Sequence, residues 1–183
     1  MIYQSEDLFL HDEAWKDDVV TRFRNPMVRQ KLCDECLGDS LKQTHFFYSF
    51  CHQEHFQNQH HLLTPLLIYT NIEHQLQQDV IEQPFIIFFD QQLNDSGQKC
   101  TEQLVWDALS YVHQSDPCTW PAYLSKHPMN PHHYYFYFNG VALSIQLVNC
   151  ADIIQQPNNQ LILIIQKTSI QQYNQNQIMK KVS

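Results

Sequence analysis

The sequence predicts an α+β fold, a single domain in which helices pack on an antiparallel-rich sheet. Two short apolar runs, residues 84–90 (PFIIFFD) and 161–166 (LILIIQ), are bounded by polar residues and have the length of buried strands. An Asn139-Gly140 pair separates two apolar segments, 134–138 and 142–148, and this pair is the strongest local signal for an antiparallel hairpin. Stretches between these strands repeat apolar residues at steps of three and four, as amphipathic helices do.

Taken in order, residues 1–11 read as a loose arm. Asp12 is placed to cap a helix running to about Phe23, with Trp15, Val19, Val20 and Phe23 as its apolar stripe. Asn25-Pro26 stops that helix. Residues 37–43 suit a short helix or turn, and 45–51 (HFFYSFC) an aromatic-rich strand. The His-rich tract 51–61 has no regular ligand spacing and reads as a solvated loop. A helix follows over 62–80, with Pro65 in its first turn and Leu63, Leu66, Leu67, Ile72 and Leu76 near one face. The run 84–90 is the central strand, and 91–99 is turn-rich.

The next helix spans 101–113. Beyond it, Pro117, Pro121, Pro128 and Pro131 forbid regular structure before the hairpin. Residues 149–159 form a loop or short helix, and 161–166 the last strand. A Gln- and Asn-rich helix starts near Ser169, with 174–183 as a frayed tail. No repeat or linker divides the 183 residues.

Composition narrows the function classes. With a net charge of −8 and no basic patch, the chain is poorly suited to nucleic acid, whose phosphates call for clustered Lys and Arg. Only 3 glycines argue against phosphate-cradling loops. The acidic first residues do not resemble a signal peptide, and no apolar run approaches the ~18 residues of a membrane span. A cytoplasmic protein is expected. Its 6 cysteines are then expected to be thiols. Cys33-Asp-Glu-Cys36 is a C-x-x-C without a second ligand pair, although Cys33, Cys36 and the nearby His52 or His55 compose one conceivable thiol or metal site.

The stretch 101–121 carries the densest chemistry. Trp106, Leu109 and His113 share one helix face, and Asp116 follows the last turn, where a carboxylate can reach an imidazole. Such a histidine can ligate a metal or haem, act as a general base, or simply end the helix.

The second half of the chain resembles the YqcI/YcgG family, which includes haem-dependent N-hydroxylases. The likeness is carried by Trp106, His113-Gln114-Ser115-Asp116, Trp120-Pro121, the aromatic strand 134–138, Gly140 and the strand ending in Gln166. It spans roughly residues 84–173 and extends more weakly to Cys33 and Cys36. The resemblance implies a haem cofactor and hydroxylation of a nitrogen on a guanidine or small amine. His113, Asp116, Trp120 and one of Cys33 or Cys36 match family positions. On this reading His113 is the iron ligand oriented by Asp116, with Trp106, Trp120 and Cys36 around the cofactor. Asp152 stands where the family carries a His and can meet a cationic substrate. The family's arginines nearby are replaced by Gln155 and Asn158. Their loss suits an alternative, a divergent non-catalytic member that binds a ligand or protein partner.

Overall fold

The computed structural model describes residues 1–6, 12–32, 45–52, 60–75, 83–90, 101–119, 133–149 and 161–168. They form a six-stranded sheet with four helices, the α+β architecture expected. Its strands are β1 (Tyr3–Gln4), β2 (Phe47–His52), β3 (Phe85–Asp90), β4 (His133–Phe138), β5 (Val141–Asn149) and β6 (Leu161–Lys167). They lie in the order β1-β2-β3-β6-β5-β4. Only β2 and β3 run parallel, joined by a crossover through helix α3 (His60–Gln75); the other pairings are antiparallel.

Strand alternation divides the core in two. On one face, Phe47, Phe85, Ile87, Phe89, Leu143, Ile145, Leu163 and Ile165 pack with α3 and helix α4 (Thr101–Gln114). On the other, Tyr48, Ile86, Phe88, Ile162 and Ile164 pack with helix α1 (Ala14–Arg24), and Val28 of helix α2 (Pro26–Leu32) joins them. Covering on both faces explains why β3 is apolar at five consecutive positions, Phe85 to Phe89.

Several expectations need correction. Residues 1–6 are not a loose arm: Tyr3 pairs with Tyr48, the Ser5 N–H donates to the Phe46 carbonyl at 2.8 Å, and Ser49 Oγ donates to the Met1 carbonyl at 2.8 Å. Asp12 does not cap α1. Glu13 holds that position without a side-chain cap, and Asp12 instead accepts from Lys16 Nζ at 2.6 Å. Asn25-Pro26 ends α1 as expected, but Pro26 also opens α2, because a missing N–H costs nothing at the first helical position. Helix α3 starts at His60, which leaves Pro65 inside it and past the first turn. Its sealed stripe is Leu62, Leu66, Tyr69 and Glu73, while Leu63, Leu67 and Ile72 are half-buried. Residues 37–43, residues 53–59 of the His-rich tract 51–61, Leu76, the turn-rich 91–99, and the expected final helix and tail lie outside the described residues, while 51–52 belong to β2 and 60–61 to α3 rather than to a loop.

Cys51 and Cys118 stand as thiols. Burial in the larger core pushes the Cys51 thiol up from 9.0 to about 12. Between those values the native state keeps a proton that the unfolded chain releases, so Cys51 lowers stability as pH rises through that window. The thiolate is the reactive form, so native Cys51 should resist iodoacetamide at pH 8 and react fully in denaturant. Peptide mass mapping checks this; rapid native labelling of Cys51 would contradict it.

Candidate functional site

Helix α4 turns Val105, Ala108, Leu109 and Val112 into the core. Trp106 and His113 stand on the margin of that stripe, about 10 Å apart along the helix at ~1.5 Å per residue. Trp106 is half-buried against the larger core. His113 is also half-buried, with its Nδ1 sealed from solvent. Its ring meets Phe136 of β4 edge-on, at 6.4 Å between centroids and 73° between planes. An aromatic strand therefore walls one side of the imidazole.

The helix end is closed by short-range bonds. The Ser115 N–H is shared between the carbonyls of Tyr111 (3.0 Å) and Val112 (3.1 Å), and the Asp116 N–H donates to the His113 carbonyl at 3.3 Å. Asp116 then reaches across the fold. Its Oδ1 accepts from the Cys118 N–H at 2.9 Å, an Asx turn, and from the Asn139 N–H at 2.9 Å. Sequence reasoning assigned Asp116 to orient the His113 imidazole. The structure places this carboxylate oxygen on two backbone amides, where it clamps the helix end to the hairpin.

The hairpin turn is built for that contact. Asn139 (φ 50°) and Gly140 (φ 79°) both occupy the left-handed region, as a type I′ turn requires. Asn139 Nδ2 donates to Thr70 Oγ1 at 3.0 Å and to Asn71 Oδ1 at 2.9 Å, both on α3. The Asn139 carbonyl lies 2.6 Å from His74 Nε2. A carbonyl only accepts, so His74 carries its proton on Nε2 in this contact. Close by in sequence, buried Glu73 of α3 lies 3.5 Å from Lys167 Nζ at the end of β6.

The structure places Trp106 and His113 on α4 and Asp116 just past its end. Trp120, Asp152, Cys33 and Cys36 lie outside the described residues. Sequence reading missed Thr70, Asn71 and His74, which are separated from Asn139 by 65 to 69 residues. Asn139 itself was visible, but only as a turn residue. No group of three or more His, Cys, Asp or Glu side chains suited to a metal ion occurs among the described residues. None of the described helices is long and apolar enough to cross a membrane.

A sequence profile of the YqcI/YcgG family matches residues 36–151, more than half of the chain. The chain belongs to the YqcI/YcgG family. The YqcI/YcgG match takes in β2, α3, β3, α4, β4 and β5, and with them Cys36, Trp106, His113, Asp116, Trp120 and the Asn139-Gly140 turn. It starts well before the stretch that first suggested this family and stops before Asp152 and β6. Comparison with curated proteins and with solved structures gave no match.

Proposed function

We propose that this YqcI/YcgG chain is a haem-binding, oxygenase-like protein that hydroxylates a nitrogen of a guanidine or small amine. The observation that carries this reading is the setting of His113: an imidazole on the last turn of α4, half-buried, with an aromatic wall at Phe136. The donors fit the group. A haem brings most of its iron's ligands with it, so the chain would need to supply an imidazole and apolar walls rather than a cluster of side-chain ligands. His113 would hold the iron through its imidazole, and Trp106, on the same helix margin, is a candidate for the cofactor's surroundings. Trp120 and Cys36 are the further candidates for the cofactor's surroundings.

Bound haem would supply oxygen activation. The chain's own work is placement: α4 sets the imidazole's height above β4, and Phe136 limits its rotation and excludes water on that side. Asp152 is the candidate carboxylate for a cationic substrate. With its net charge of −8, the protein is assigned no nucleic-acid partner.

Haem titration tests this directly. The purified protein should develop a Soret band with a saturable endpoint, and His113→Ala should lose that band or shift it to a weakly ligated spectrum. Identical haem spectra and affinities for His113→Ala and wild type would sink the assignment of the ligand. A folded protein with no Soret response would remove the haem reading altogether.

One observation favours a second reading, a non-catalytic ligand-binding member. Asp116 Oδ1 is engaged by the backbone amides of Cys118 and Asn139, a task of architecture rather than chemistry. On this reading the His-x-x-Asp segment is kept for its fold. The same titration then yields no Soret band from a protein with a cooperative unfolding transition.

A further inference from the structure

We infer that Asn139 is a positioning residue for the His113 imidazole. Hydrogen bonds run continuously from Asn139 to the backbone of His113. The His113 carbonyl accepts the Asp116 N–H, Asp116 Oδ1 accepts the Asn139 N–H, and Asn139 Nδ2 donates to Thr70 and Asn71 on α3. The wall of the imidazole leads to the same point. Phe136 lies on β4, which ends at Phe138, immediately before Asn139. Two elements that hold the His113 ring, the last turn of α4 and strand β4, therefore meet at one residue. Asn139 ties the two together and so sets where the imidazole stands against Phe136.

The residue type suits the task. The position needs φ 50°, which asparagine tolerates better than most side chains. It also needs a side-chain donor, since Thr70 Oγ1 already donates to the Leu66 carbonyl at 2.9 Å and accepts the contact from Asn139. Glycine would satisfy only the first requirement, and serine would not reach both partners on α3.

The placement of the imidazole stands independently of its chemistry, whereas the haem consequence rests on the function proposed above. The test uses full-length protein labelled with ¹⁵N-histidine, in which the His113 ring resonance is the one missing from His113→Gln. Asn139→Gly keeps the turn, the N–H to Asp116 and the carbonyl to His74, and removes only the carboxamide. The His113 resonance should shift and broaden, while that of His45, beside Glu6 at the β1 side of the sheet, stays in place. Thr70→Val should move the His113 resonance in the same direction, and Thr70→Ser, which restores the hydroxyl, should return it. In haem titrations, Asn139→Gly should weaken binding about tenfold, the scale of losing a ligand's supporting partner.

A folded Asn139→Gly protein with an unmoved His113 resonance would overturn the inference. So would a Thr70→Ser protein as displaced as Thr70→Val. Should Asn139→Gly fail to fold, the Thr70 pair decides. Should wild type give no Soret band, the haem reading falls and the histidine resonances alone decide.

Discussion

Phe88→Ala is expected to cost about 3–5 kcal/mol of stability, the range for truncating a large aromatic in a packed core. Phe88 is fully buried at the middle of β3, between β2 and β6. Its ring meets Phe23 of α1 edge-on at 5.5 Å and lies 5.9 Å from Phe50 and 6.3 Å from Tyr48. The surrounding rings belong to a helix and a neighbouring strand, so they cannot all relax into the space left behind. Domains have only about 5–15 kcal/mol in total, and the loss would leave a large unfolded fraction at modest denaturant. Urea unfolding should show a lower midpoint with an unchanged slope. Phe88→Leu should lose much less, because it retains most of the volume. Equal midpoints for Phe88→Ala and wild type would show that the α1 layer does not depend on this ring.

Gly140→Val is the second large effect, about 1–3 kcal/mol for a β-branched residue held in the left-handed region. Space is not the main obstacle. A Cβ there would lie 3.4 Å from His74 Cε1 and 3.9 Å from Cys118 Sγ, ordinary contact distances. The backbone angle, φ +79°, is what valine resists. Thermal unfolding should rank the variants as wild type, then Gly140→Asn, then Gly140→Ala, then Gly140→Val. A valine variant as stable as wild type would mean the turn can leave the type I′ form at no cost. Because the same turn carries the contact to Asp116, the valine variant should also disturb the His113 resonance.

What was legible in the sequence was local. The apolar run of β3, the Asn139-Gly140 hairpin and the period of α4 are each encoded within a dozen residues, and each is found where the pattern puts it. His113 closing a helix and Asp116 opening a turn were legible for the same reason. Contacts between distant segments were not. Nothing near Tyr3 announces a partner at Tyr48, since an isolated pair of residues carries no periodic signal. The apolar period of α3 did not mark its sealed face, because Thr70 and Glu73 are buried there with partners on Asn139 and Lys167, segments far away in the chain. The closeness of Asp116 to His113 was legible along the chain, whereas its contact with the Asn139 N–H, 23 residues away, was not.

The position of β6 bears on how the protein is made. This strand follows every other described strand in the sequence, yet it lies between β3 and β5. A ribosome therefore releases the β2-α3-β3 unit and the β4-β5 hairpin before the piece that unites them. Until Leu161–Lys167 emerges, β3 and β5 each present an open, strongly apolar edge, the kind of surface that chaperones hold and that aggregates when crowded. The central location of a late strand leaves the sheet in two parts until Leu161–Lys167 is made. Nascent chains stalled before Leu161 should accordingly remain protease-sensitive throughout.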